Sequence, residues 1–225
     1  MSYLHGLVSD TRRLLATHSD VLVITVTTTV ALLLGQYRIV KLTGLGPGWP
    51  QVIIALGRTG LYLALPLVSL SILKLRPRDL GFGIGNWRCW LPDITILYLV
   101  MLPLVVWAAT RAQFRNVYPY FHLARLGLKN LVRAELALLL LMFAWEFLFR
   151  GYLLFGLERR LGNYAIVVQM VPFALMHLGK PELEAYGSII AGLVLGIVAV
   201  RGRSFLPAFI LHYAVALSLD LLALR

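Results

Sequence analysis

The chain has 225 residues, of which 60% are hydrophobic and only 14% charged, and its mean hydropathy is +0.81. A soluble domain of this size needs a wet, charged rim, so the composition excludes one and defines an integral, multi-pass membrane protein. The formal charge of +11 would point to nucleic acid in a soluble protein. Here the basic residues lie between apolar segments, where anionic headgroups and topology use them, so the partner is the lipid bilayer and no nucleic acid is expected.

The N-terminal stretch, Met1 to Asp20, carries Arg12 and Arg13 but no apolar core before Val21. It does not read as a cleavable signal peptide, and the first spanning helix can itself direct insertion. At about 20 apolar residues per crossing, seven spans are predicted, near 20–36, 52–73, 90–110, 135–155, 163–178, 186–200 and 205–224. The fold class expected is all-α, a polytopic transmembrane helical bundle of about seven spans. Arg58 and Asp93 sit close enough to the ends of their spans to reach headgroups.

Between the spans, Gly44-Leu45-Gly46-Pro47-Gly48-Trp49-Pro50 reads as a loop, because its prolines remove donors that a continuing helix needs. Lys74 to Asp79 reads as a basic turn. In 111–133 aromatic and basic residues interleave through Tyr118, Tyr120, Phe121 and Arg125, the pattern of an interfacial amphipathic helix or elbow. Cys89, the single cysteine, excludes an intramolecular disulfide and any multi-cysteine metal cluster. With no internal repeat or low-complexity linker, one integral membrane domain over 1–225 is the economical reading. Ten Lys and Arg fall on the N-terminal side of the spans and nine on the other. Discounting 111–133 leaves ten against four and favours a cytoplasmic N-terminus.

The chemistry lies in the last 90 or so residues. From Leu136 to Phe155 only Glu146 and Arg150 are charged, and the spacing i,i+4 puts them on one helix face. A charge in hydrocarbon costs several kcal/mol by insertion scales, so such a pair is retained to lock packing or to do chemistry. His177 ends the fifth span, and His212 and Asp220 lie on the seventh. Glu146 with an imidazole can polarise one water as general base while the other imidazole stabilises an oxyanion. Asp220, two turns beyond His212, is a candidate to orient a histidine. Glu182, with Glu184, either enters the sixth helix as part of a solvated turn or lends a carboxylate to the rim of the site. Glu146, His177 and His212 could also hold zinc with a water in the fourth position. No His-Glu-x-x-His helix is present, and Arg150 opposes a dication, so no metal and no cofactor is the preferred reading. Gly192-x-x-x-Gly196 reads as helix packing.

Glu146-x-x-x-Arg150-Gly151, then Phe173-x-x-x-His177, then His212 resemble, in order and spacing, the motifs of the CPBP family of CAAX-protease and bacteriocin-processing intramembrane endopeptidases. The resemblance covers about 135–225. It implies a catalytic core there, with Glu146, Arg150, His177 and His212 as site residues and a metal-free glutamate mechanism. It also implies a membrane-associated protein or C-terminal tail as substrate. Two positions depart from the pattern: Trp145 stands for the first Glu, the expected water-activating base, and Ala216 for the Asn of the oxyanion site. The Trp-Glu form resembles a divergent bacterial branch, which implies a bacterial cytoplasmic membrane. The alternatives are a catalytically inactive scaffold of the same fold and a membrane transporter or binding protein.

Overall fold

In the computed structural model, residues 2–17, 19–37, 39 and 49–225 are described. The predicted loop 44–50 lies outside them, except for Trp49 and Pro50, where a helix begins. Ten α-helices follow in chain order among the described residues: α1 (Ser2–Thr17), α2 (Ser19–Tyr37), α3 (Trp49–Leu73), α4 (Trp87–Ala109), α5 (Ala112–Arg115), α6 (Leu128–Glu146), α7 (Gly156–Leu161), α8 (Tyr164–Leu175), α9 (Glu182–Gly202) and α10 (Leu206–Ala223). Phe147–Phe155 joins α6 to α7 as a π-helical segment, and no strand occurs among the described residues.

Five helices are long and apolar enough to cross a membrane: Ser19–Tyr37, Gln51–Leu73, Trp87–Ala109, Glu182–Gly202 and Leu206–Ala223. They correspond to the first, second, third, sixth and seventh predicted spans. The fourth is one helical run through α6, the π segment and α7, beginning at Leu128 rather than 135. The fifth is the 12-residue α8, shorter than a full crossing. Large apolar side chains point outward, Val68 and Ile72 on α3 and Ile190 on α9 among them, as a lipid-facing surface requires. Thr25, Thr28, Thr59 and Thr95 donate to the carbonyl one turn earlier at 2.8–2.9 Å, which satisfies their hydroxyls without water.

The segment 111–127 is not one amphipathic helix. It folds as the single turn α5, an elbow through Tyr118 and Pro119, and a 3₁₀ turn (His122–Leu126) ended by Gly127 at φ 108°. Proline and a left-handed glycine within a dozen residues leave no room for a longer helix. The elbow tucks inward: Tyr118 and Phe121 are buried.

Small residues set the closest packing. Gly192 and Gly196 of α9 face Met170 and Ile166 of α8, where a Cβ would stand 2.8 and 2.9 Å from those side chains. Gln169 Nε2 donates to the Gly192 carbonyl at 2.7 Å, so this stripe packs helices as expected. One end of the bundle is tied by Arg160–Asp20, Arg201–Asp93 and Arg203–Glu158 ion pairs at 2.8–2.9 Å. Asp93 is therefore paired. Arg58 turns toward the opposite end, donating to Gly35 O at 3.0 Å and Gln36 Oε1 at 2.6 Å.

Candidate active site

Glu146 is the last residue of α6, and the backbone widens to π-helical immediately after it. Gly151 permits the packing of that segment, since a Cβ there would meet the Phe147 ring at 2.7 Å and the Leu80 carbonyl at 3.2 Å. Isolated π turns recur at functional positions in helices. The segment buries Glu146 and Arg150 completely, both 0% exposed. Arg150 Nη1 lies 3.0 Å from Glu146 Oε1 and 2.9 Å from Oε2. The guanidinium also stacks over Phe173, 4.0 Å from the ring centre, an attraction that strengthens when desolvated.

Glu146 Oε1 is also 2.6 Å from His212 Nδ1. A carboxylate only accepts, so Nδ1 carries the proton and Nε2 is left as the free nitrogen. His177 is fixed similarly from the end of α8, its Nδ1 2.8 Å from the Phe173 carbonyl. The two imidazoles lie nearly parallel, 6.3 Å apart with 27° between planes. Both line a cavity of about 90 Å³, room for a few waters.

Gln36, Arg58, Tyr118, Tyr120, Leu141, Met142, Trp145, Met176, Lys180, Glu184 and Ala216 complete the cavity's lining. Trp145 packs edge-on to His177 at 6.3 Å and to Tyr62 at 6.0 Å. Both departures from the family pattern therefore face the cavity as apolar wall. Glu146 itself does not line it and stands behind His212.

The structure thus brings Glu146, Arg150, His177 and His212 together and leaves two other predicted residues apart. Asp220 orients no histidine: its Oδ1 accepts from the Tyr120 backbone N–H at 2.8 Å and its carboxyl lies against Glu135. The angular offset from His212 along α10 turns it toward α6 and the elbow instead. Glu182 is exposed in the first turn of α9. Two residues on, Glu184 lines the cavity, accepting from Tyr118 Oη at 2.7 Å with Lys180 Nζ at 3.6 Å. Burial and the Glu184 carboxylate push the Tyr118 phenol well above its ordinary range, so it stays a donor. Tyr118 and Tyr120 were legible only as part of an interfacial segment, and Lys180 and Glu135 carried no signal for the site, because what brings them together is the packing of the elbow on α6 and the start of α9. Among the described residues no three His, Cys, Asp or Glu side chains form a metal-holding group.

A membrane helix bundle with a buried carboxylate–guanidinium pair behind two inward imidazoles is the class these observations define. Residues 128–218 match the family model of Rce1-like proteins, described as type II CAAX prenyl endopeptidase Rce1-like. This is a CPBP-family group, so the resemblance carried by Glu146, Arg150, His177 and His212 is borne out. The matched stretch begins where α6 begins and takes in all four of these residues, while the N-terminal half lies outside it. No curated protein and no solved structure matches the chain significantly.

Proposed function

We propose that the chain is an intramembrane endopeptidase, hydrolysing a peptide bond in a membrane-associated protein or C-terminal tail with water activated at His212. The observation that carries this reading is the 2.6 Å bond between Glu146 Oε1 and His212 Nδ1, backed by Arg150, with His212 on the cavity wall. In this mechanism Glu146 is a positioning residue. It fixes the imidazole tautomer and stabilises the imidazolium, as a buried carboxylate does in hydrolytic triads. His212 Nε2 takes a proton from water, whose oxygen attacks the scissile carbonyl carbon. The same proton then passes to the amide nitrogen as the C–N bond breaks. His177 Nε2 holds the water in line. The base role expected of Glu146 thus passes to the imidazole it orients, because Glu146 is screened from the cavity.

The proposed hydrolysis is metal-free. Arg150 Nη1 engages both Glu146 oxygens, and a guanidinium there repels a dication. The substrate segment must unwind locally, since helical carbonyls are hydrogen-bonded and shielded from water.

A second reading has its own support: Trp145 and Ala216 put apolar surface in the cavity where the family pattern has Glu and Asn. Under it the bundle binds a membrane segment without cutting it. Comparing the membrane proteomes of cells with and without the gene separates the two. Hydrolysis is expected to yield a shortened protein that disappears on deletion and returns with the wild-type gene but not with Glu146→Gln. A protein that is never shortened, yet is mislocalised on deletion, is the outcome expected of the scaffold.

A further inference from the structure

At the end of the bundle away from His177 and His212 lies a second, more open basin of about 390 Å³. The topology gathers its walls from four places. The chain just past α3 supplies Lys74 and Leu75, and the following 3₁₀ turn (Pro77–Leu80) supplies Arg78 and Asp79. Phe155 and Arg159 come from the run through the π segment into α7, and Arg203 is the C-cap of α9. The Asp79 carboxylate already accepts from the Arg76 N–H at 2.8 Å. Arg203 is matched by Glu158 at 2.8 Å and leans over the Phe155 ring at 5.2 Å. Lys74, Arg78 and Arg159 form no side-chain hydrogen bond or ion pair with any described residue. Three unmatched cations around one concavity repel one another and favour an anion between them.

Backbone conformation singles out the same place. Among the described residues only two that are not glycine have positive φ, Lys74 and Arg203, each at 52°, and both line this basin. Left-handed backbone costs a residue with a Cβ roughly 1–2 kcal/mol, and helix ends of this shape ordinarily carry glycine. A cation gains from the helix dipole at any residue of the last turn, so the dipole alone does not require the left-handed position. Gly81, at φ 72°, also lines the basin, and a Cβ there would run into the Phe155 ring.

We propose that this basin is a phosphate-binding site, with Lys74, Arg78 and Arg159 as its donors. Phosphate suits two guanidinium forks and an ammonium better than a single carboxylate does, because its oxygens take bidentate and point-charge donors together. Two sources share this chemistry, the headgroup of an anionic lipid and soluble phosphate. Leu75 and Phe155 in the basin wall and the outward Ile72 just above it on α3 offer an apolar path from the site into the bilayer.

The test uses the full chain in maltoside micelles, which contain no phosphate, titrated with phosphatidylglycerol or with inorganic phosphate. Binding is read by native mass spectrometry and thermal shift. The triple variant Lys74→Ser, Arg78→Ser, Arg159→Ser is expected to weaken binding by at least about tenfold. A control triple, Arg12→Ser, Arg88→Ser, Arg111→Ser, removes as much charge elsewhere and is expected to change it by less than about twofold. Saturation by phosphatidylglycerol without competition from inorganic phosphate assigns a lipid headgroup, and binding of inorganic phosphate alone assigns the soluble source. Equal weakening in both triples, or no binding of either probe to the wild type, overturns the site. Lys74→Gly relieves the left-handed strain, so it is expected to fold at least as stably while binding more weakly. Wild-type affinity in that variant removes Lys74 as a donor and contradicts the proposal.

Discussion

Replacing Arg150 by Met removes the cation and keeps most of the volume, leaving the Glu146 carboxylate, 0% exposed, with His212 as its remaining partner. Removing one partner of a buried pair costs about 3–5 kcal/mol, because the other charge stays desolvated. Loss of the 4.0 Å stacking on Phe173 adds to this by up to about 2 kcal/mol. Adding Glu146→Gln removes the stranded charge, so the double variant should be more stable than Arg150→Met alone. A coupling of about 2 kcal/mol or more between the two sites is expected. Reversible unfolding in bicelles of the wild type, both singles and the double gives the cycle. Additive effects, or an Arg150→Met cost below about 0.5 kcal/mol, would refute the view that the pair is neutralised by mutual contact rather than by water.

Gly151→Ala is expected to destabilise by about 1–3 kcal/mol, since its Cβ must displace the Phe147 ring against the Leu80 carbonyl, and a thermal melt checks it. Tyr118→Phe removes the 2.7 Å bond to Glu184 and should cost about 1–3 kcal/mol. Because both residues line the cavity, the same variant should raise KM more than it lowers kcat in a cleavage assay. Activity in reconstituted bilayers should survive strong chelation. Loss with the chelator and recovery with zinc alone would make Glu146, His177 and His212 ligands instead.

Hydropathy made most of the fold legible, because a lipid solvent forces long apolar helices whose ends are marked by charge and proline. The long α2, α3, α4, α9 and α10 follow directly from that rule. The break at 146–147 does not, since no residue pattern distinguishes π-helical Phe147–Phe155 from an α-helix. Charged residues at membrane depth pointed to Glu146, Arg150, His177 and His212, and spacing along a single helix sufficed for the first two. Whether Glu146 faced the cavity or stood behind a histidine depended on how α10 packs on α6, which is tertiary information. Where Asp220 and Glu182 point was tertiary information too: the elbow and α6 give Asp220 Tyr120 and Glu135 as partners, and the first turn of α9 leaves Glu182 in the solvated turn that was one of its two readings. Glu184 shows how a shift of two residues on a helix, about 200° of rotation, separates a solvent-facing carboxylate from a cavity-facing one.

The relation of Glu146 to His212 is tested most directly by the turnover of Glu146→Gln in reconstituted bilayers, on the substrate recovered from the proteome comparison. The amide keeps the size of the side chain but no longer fixes the His212 tautomer or stabilises its imidazolium. The expected result is a fall in kcat of roughly 10³–10⁴, the scale seen when the carboxylate behind a catalytic histidine is neutralised, with KM little changed and the protein still folded. Turnover within about threefold of the wild type would contradict a mechanism in which Glu146 holds His212 for proton transfer.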